Sequence, residues 1–247
     1  MRAAYGISLR APAPNLSAAR STSQFVQRAN PGLAGERVRG SEVGVAVSGT
    51  RWSVDVGGFR QRTDGFTQLV TTGRAVRTDG AVSREVQYRG VGILLAQGVE
   101  ARARVDGPWG TLEGTGSAVR SRLQSLAVGY AGPLRDGGPP LEAPTSTLAA
   151  TWTRRALYGR VSITGSLLGS WQTNVFPCAA ASDPACDLSA AQRVAASSRW
   201  HASYERALGA GWHWRLRVEN LSNNQRADGS AVLLAPGRSI GLELGRW

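Results

Sequence analysis

The sequence contains no lysine: its 29 basic residues are all arginine and stand against 17 acidic ones, for a net charge of +12. Such a chain invites nucleic acid as a partner. Its arginines, however, are interspersed with Asp and Glu rather than clustered, and no nucleic-acid module is visible, so nucleic acid is not an expected partner. The chain also lacks any apolar run of about 18 residues, which excludes a transmembrane helix. That absence says nothing against a membrane β-barrel, whose hydrophobicity is diluted by alternation. The start, MRAAYGISLRAPAPN, has no apolar core and no small-residue cleavage site, so it is not read as a secretory signal. Catalytic and metal motifs are missing as well. There is no Gly-x-Ser-x-Gly elbow, and Gly114-Thr115-Gly116 lacks the downstream glycine of a dinucleotide fingerprint. The only histidines, His201 and His213, belong to no metal-spaced motif. Neither an enzyme nor a bound cofactor or metal is expected.

What the chain does have is alternation. From Trp212 to Glu219 the even positions are Trp, Trp, Leu and Val, while the odd ones are His213, Arg215, Arg217 and Glu219. A period of two is a β-strand, and this one has faces suited to very different media. Nine further strands are expected, eight of them on the same rule. The first sets Ala3, Tyr5, Ile7 and Leu9 on one face. Arg39–Ser48 carries Val43, Val45 and Val47, and the strand opening at Arg51 carries Trp52, Val54 and Val56. That strand is expected to run out into a polar loop over 63–84. Val86–Asp106 sets Val99, Ala101, Ala103 and Val105 against Glu100, Arg102, Arg104 and Asp106. A glycine-rich strand follows near Trp109–Arg122, then an irregular link over 123–145. Ser146–Arg154 shows Leu148, Ala150 and Trp152, and Leu157–Trp171 shows Val161, Ile163, Leu167 and Trp171. An eighth strand sets Val194, Trp200, Ala202 and Tyr204 against Arg193, Arg199, His201 and Glu205. The tenth carries Ile240, Leu242 and Leu244.

The connections alternate as regularly as the residues. Short turns are expected near 49, 107, 155 and 209. Long links are expected over 11–38, 63–84, 123–145, 173–192 and 223–237. Short periplasmic turns and long external loops are the habit of outer-membrane barrels, and a soluble sandwich gives no reason for them. The expected fold is therefore all-β: an antiparallel transmembrane β-barrel segment of about ten strands. Trp52, Trp152, Trp171, Trp200, Trp212 and Trp214 are read as interfacial girdle residues. The opposite face, with Arg102, Arg104, Arg160, Arg193, Arg199, His201, Arg215, Arg217 and Glu219, is read as lumen-lining, in contact with an anionic solute or with a plug that fills the barrel. Cys178 and Cys186 fall in one long link, and an even pair in an exported loop suggests a local disulfide.

Particular phrases then resemble a known family. Tyr5-Gly6, Arg10-Ala11-Pro12, Asn30-Pro31-Gly32-Leu33 and Glu36 occur in that order. More than 200 residues later come LRVENLSNNQ and PGRSIGLELGRW. The set resembles the closing strands of TonB-dependent outer-membrane receptors, with Trp247 as the terminal aromatic that serves as an insertion signal, here one residue out of phase with Ile240, Leu242 and Leu244. The resemblance spans residues 1–247 as one segment and implies the C-terminal part of a barrel of about 22 strands, without the plug and energy-coupling segment that lie N-terminal in the family. It implies energy-coupled uptake of a scarce ligand such as a ferric siderophore or cobalamin, in the outer membrane of a Gram-negative bacterium. The implied partners are outer-membrane lipid, the plug domain, the TonB complex and the barrel-assembly machinery. In the family the lumen wall mainly meets the plug. The alternative is a small self-closed ten-stranded barrel acting as an adhesin, a pore or a structural protein, which requires the first and last strands to pair.

Overall fold

The computed structural model describes the chain except residues 22–24, 77–79, 81, 129, 131–133, 175–190, 226–235 and 247. In chain order the elements are β1 (Arg2–Arg10), a one-turn helix α1 (Pro14–Ser17), β2 (Arg20–Ser21), β3 (Phe25–Gln27), β4 (Glu36–Ser48), β5 (Trp52–Val76), β6 (Val82–Gly107) and β7 (Gly110–Leu126). They continue with β8 (Ser146–Ala156), β9 (Gly159–Leu168), β10 (Trp171–Asn174), β11 (Ala191–Val194), β12 (Ser197–Gly209), β13 (Trp212–Glu219) and β14 (Ser239–Arg246). Ten of these make one antiparallel meander in the order β1-β4-β5-β6-β7-β8-β9-β12-β13-β14. The sheet is open: among the described residues β1 pairs only with β4, and β14 only with β13. The ten strands therefore do not close on themselves, as the self-closed alternative requires.

Register is set by the apolar phase. Across β13 and β14, Trp214 lies opposite Leu244, Leu216 opposite Leu242 and Val218 opposite Ile240. The same row continues into β12 through Tyr204 opposite Leu216, and into β9 through Ile163 opposite Ala202. A slip of one residue in β13 would turn Arg215 and Arg217 onto the apolar face. An arginine at the middle of a lipid face costs about 2–4 kcal/mol, so the observed pairing is held by several kcal/mol. That apolar face is uncovered by protein: Val43, Val45, Val47, Val99, Leu148, Leu242 and Leu244 are all exposed. A contiguous apolar surface of this extent marks an interaction with something apolar.

The short connections are hairpin turns. Between β4 and β5 the Gly49 N–H donates to the Trp52 carbonyl at 2.8 Å. Between β8 and β9 both Leu157 (φ 52°) and Tyr158 (φ 62°) are left-handed, the geometry that matches strand twist in a two-residue hairpin. Leu157 is thus a turn residue and not the first residue of the seventh strand; β9 begins at Gly159.

The long-link end differs from expectation. The supposed polar loop over 63–84 is mostly sheet, because β5 runs 25 residues and β6 runs 26. Polar side chains hid this extension, but their backbones pair from Thr67 opposite Gly90 to Val76 opposite Val82. The 123–145 link, expected to be irregular, folds back on the strands: Leu134 and Leu141 join Val70, Val91 and Leu123 in a small hydrophobic core. This is the main core of the described chain, and it sits at the long-link end.

Trp171 also departs from expectation. It is only 2% exposed, and β9 stops at Leu168. Trp171 opens β10, which pairs with β11 as a separate two-stranded ribbon. It is a packed residue and not part of a girdle.

Candidate lumen wall

The charged face is built by the same alternation that builds the apolar one. Arg102 lies opposite Asp55 and Thr115, and Arg104 opposite Ser53 and Glu113. Arg160 faces Glu205, which in turn faces Arg215. Arg199 lies opposite Ser166 and His201 opposite Thr164. Arg217 faces Ser203, and Glu219 faces Ser239. Eight of the nine residues proposed from sequence thus share one face of the sheet. Arg193 does not, since it lies on the β10–β11 ribbon, where it donates to the Ser170 hydroxyl at 3.1 Å.

Charges on this face are arranged as linked knots. Arg215 donates to Glu205 at 2.6 and 3.0 Å and reaches Glu243 at 3.5 Å. Arg217 donates to Glu219 at 3.3 Å. At the other side of the sheet, Arg2 clasps Asp55 at 2.7 and 2.8 Å. Arg104 holds Asp106 at 2.9 and 3.0 Å and also contacts Glu113. Isolated exposed ion pairs contribute little. On a wall these pairs instead fix side-chain directions and keep guanidinium groups off the apolar face.

Beside the Arg2–Asp55 knot lies a groove of about 580 Å3, with Arg2, Gly40, Glu42, Gly57, Phe59 and Glu100 among its lining residues. Glycine fits this wall for a steric reason: the Arg2 guanidinium lies across Gly44, where a Cβ would meet Cζ at 2.9 Å. Of the two histidines, His201 accepts the Asn220 N–H through Nδ1 at 3.4 Å, and His213 is 8% exposed. Among the described residues no group of three metal-ligating side chains exists.

Asn220 escaped sequence reasoning. It is 3% exposed with φ 51°. Its Nδ2 donates to the carbonyls of Asn224 (3.0 Å) and Pro236 (2.8 Å), while its Oδ1 accepts from the Asn224 N–H at 2.9 Å. Next to it, Asn223 Oδ1 accepts the Arg238 N–H at 2.9 Å. Together these bonds staple both feet of the last long link. The available signal was an asparagine directly after a strand in Asn220-Leu221-Ser222-Asn223-Asn224, since asparagine tolerates the left-handed region and bonds nearby backbone.

The first long link is docked as well. β3 pairs in parallel with β6, and Arg28 donates to Glu85 at 2.7 Å. Desolvation pushes the Glu85 carboxyl up, but hydrogen bonds from Arg28 and Thr72 outweigh it and hold the group below the usual carboxylate range. Asn30 Nδ2 adds a bond to the Tyr88 carbonyl at 2.8 Å. Cys178, Cys186 and Trp247 lie outside the described residues.

An open antiparallel sheet with one apolar face and one charged face has the build of an outer-membrane barrel wall. Residues 1–223 match the family model for the TonB dependent receptor-like beta-barrel, and the chain belongs to that family, one of receptors and transporters. Solved structures agree in fold. The copper transporter OprC superposes with a TM-score of 0.67 at 12% identity, over 98% of this chain and 36% of its own. The ferric enterobactin receptor of Pseudomonas aeruginosa, in complex with enterobactin, gives 0.63 at 16% identity over 98% and 37%. The siderophore receptor PirA of Acinetobacter baumannii gives 0.61 at 15% over 89% and 33%. The chain therefore spans about a third of these solved relatives. No curated protein sequence matches it.

Proposed function

We propose that this chain forms the closing wall and external loops of an outer-membrane receptor that takes up a scarce ligand by TonB coupling, with a ferric siderophore or cobalamin as the ligand class. The observation that carries this reading is the strict division of the sheet, in a member of this family, into a bare apolar face and a face of knotted charges. The apolar face meets lipid. The charged face meets the plug, and Arg102, Arg104, Arg160, Arg199, Arg215 and Arg217 supply it with oriented donors. Arg193, on the ribbon, belongs with the external loops, where Cys178 and Cys186 form a local disulfide. The long links face outward and make the first contact with ligand, and the barrel-assembly machinery inserts the protein.

The test is uptake by iron-starved cells that produce the full-length protein containing this chain. Radiolabelled ferric siderophores and cobalamin are supplied one at a time, in strains with and without TonB. Uptake of one ligand that disappears without TonB supports the reading. Passage that is unchanged without TonB would make the wall a passive pore and sink it.

A further inference from the structure

The apolar face ends abruptly over β4–β7. Reading across the four strands, successive rows are Val47-Val54-Ala103-Gly114, Val45-Val56-Ala101-Gly116 and Val43-Gly58-Val99-Ala118. The next row on the same face is Ser41-Arg60-Gln97-Arg120, followed by Arg39-Arg62-Leu95-Arg122 and then Arg37-Asp64-Ile93-Ser125. Six arginines thus replace valines within three rows, at the long-link end only. At the short-turn end the same strands show Trp52 and Leu112 on this face, with Trp109 in the turn.

One acid stands among these arginines. Asp64 accepts from Arg39 at 2.6 Å and from Arg62 at 2.9 Å. Among the described residues Arg37, Arg60, Arg120 and Arg122 have no carboxylate partner, and all four are exposed. Leu95, flanked in register by Arg62 and Arg122, is 5% exposed, as expected where arginine stems lie along apolar surface and carry their heads outward. A shallow groove of about 730 Å3 joins the two zones. Val43, Gly58 and Val99 line its apolar part, and Ser41, Arg60 and Arg120 its polar part.

We infer that this band binds the phosphate groups of anionic lipid in the leaflet at the long-link end, with an acyl chain of the same lipid lying in the groove below. The inference rests on the reading of the apolar face as lipid-facing and adds what the arginines are for. Arginine presents a planar fork that holds phosphate through two parallel hydrogen bonds. An unpaired arginine next to hydrocarbon is unfavourable unless an anion meets it at that level. The charge is complementary, the chemistry is bidentate, and the groove places an apolar tail and an ionic head in the right order along one molecule.

The test uses the full-length protein refolded in dodecyl maltoside micelles, with R60Q/R120Q and, separately, R122Q as variants and R155Q, on the opposite face beside Arg160, as control. The probes are bisphosphorylated lipid A, the same lipid with its phosphates removed, and inorganic phosphate alone, each titrated with native mass spectrometry as the readout. Lipid A retention about tenfold weaker in R60Q/R120Q, weaker also in R122Q and unchanged in R155Q, supports the inference. Equal retention in all proteins, or equal retention of the dephosphorylated lipid, overturns it while leaving the lipid-facing reading intact. Inorganic phosphate that binds as tightly as the lipid also overturns it, in favour of a free-phosphate site. A protein that refolds in buffer without micelles overturns the lipid-facing reading and this inference together.

Discussion

Strand β5 passes through two unlike regions. From Trp52 to Gly58 it alternates strictly, its apolar residues are uncovered by protein, and its neighbours pair without irregularity. From Asp64 to Val76 its pairing with β6 shifts register three times, and Val70 is 4% exposed within a packed core. On the proposed function, the lower region needs no protein core, because lipid covers its apolar face. The upper region hides apolar side chains within the protein, on the other side of the sheet: Leu94 and Leu123 share the phase of Arg102, not that of Val99. The neighbouring β6 thus carries covered and bare apolar side chains on opposite faces along its length. The lesson is that the medium, not the strand, decides which face is apolar.

The largest way to break the comparison is Leu123→Ala. Leu123 is fully buried, and truncating such a leucine costs about 2–5 kcal/mol. Limited proteolysis should show cleavage in the 127–145 link while the paired strands below remain protected. Complementary to it is Val56→Arg, on the bare face. It should cost about 2–4 kcal/mol in denaturant titrations of protein refolded into lipid vesicles, with the upper core unaffected. Equal sensitivity of the two regions to both variants would contradict the division. A smaller effect is expected from Asn220→Ala, which removes three part-buried hydrogen bonds at the base of the last link and should cost about 1–3 kcal/mol. Hydrogen exchange should rise at Asn224 and Arg238 and stay level in β4–β6.

The smallest effect is a pH dependence confined to the upper region. The Glu85 carboxyl is held below its ordinary value of 4.5 by Arg28 and Thr72. Its contribution is therefore complete above that value and is lost as the pH falls through the lowered one. Exchange of the Phe25–Arg28 segment should accelerate on acidification below that ordinary value. Glu85→Gln should flatten that response and leave the rest of the sheet unchanged.

These regions were not equally legible. In the lower one, alternation at Val43, Val45 and Val47 or at Trp212, Trp214 and Leu216 specified strand, phase and partner, and the short turns fell within two or three residues of where the sequence put them. Eight of nine charged-face residues followed from the same count. In the upper one, Thr67–Val76 is too polar to reveal a strand, and Leu134 and Leu141 sit in a stretch of Gly and Pro without periodicity. Trp171 continued the phase of Leu167 and still belongs to another ribbon. Nothing local marks the break; Gly169 bends toward β8, its N–H donating to the Ser146 carbonyl at 2.7 Å.

By itself the sequence determined the all-β class, the two faces, the hairpin order and the family, because a period of two and a run of turn residues are local properties of the chain. Only the tertiary structure decided that the sheet stays open, that β5 and β6 rise past the apolar rows, that a link supplies a core, and that six arginines from three strands line up. Each of those depends on which distant backbones pair and on which side of the sheet a returning segment lands, and no local pattern records that.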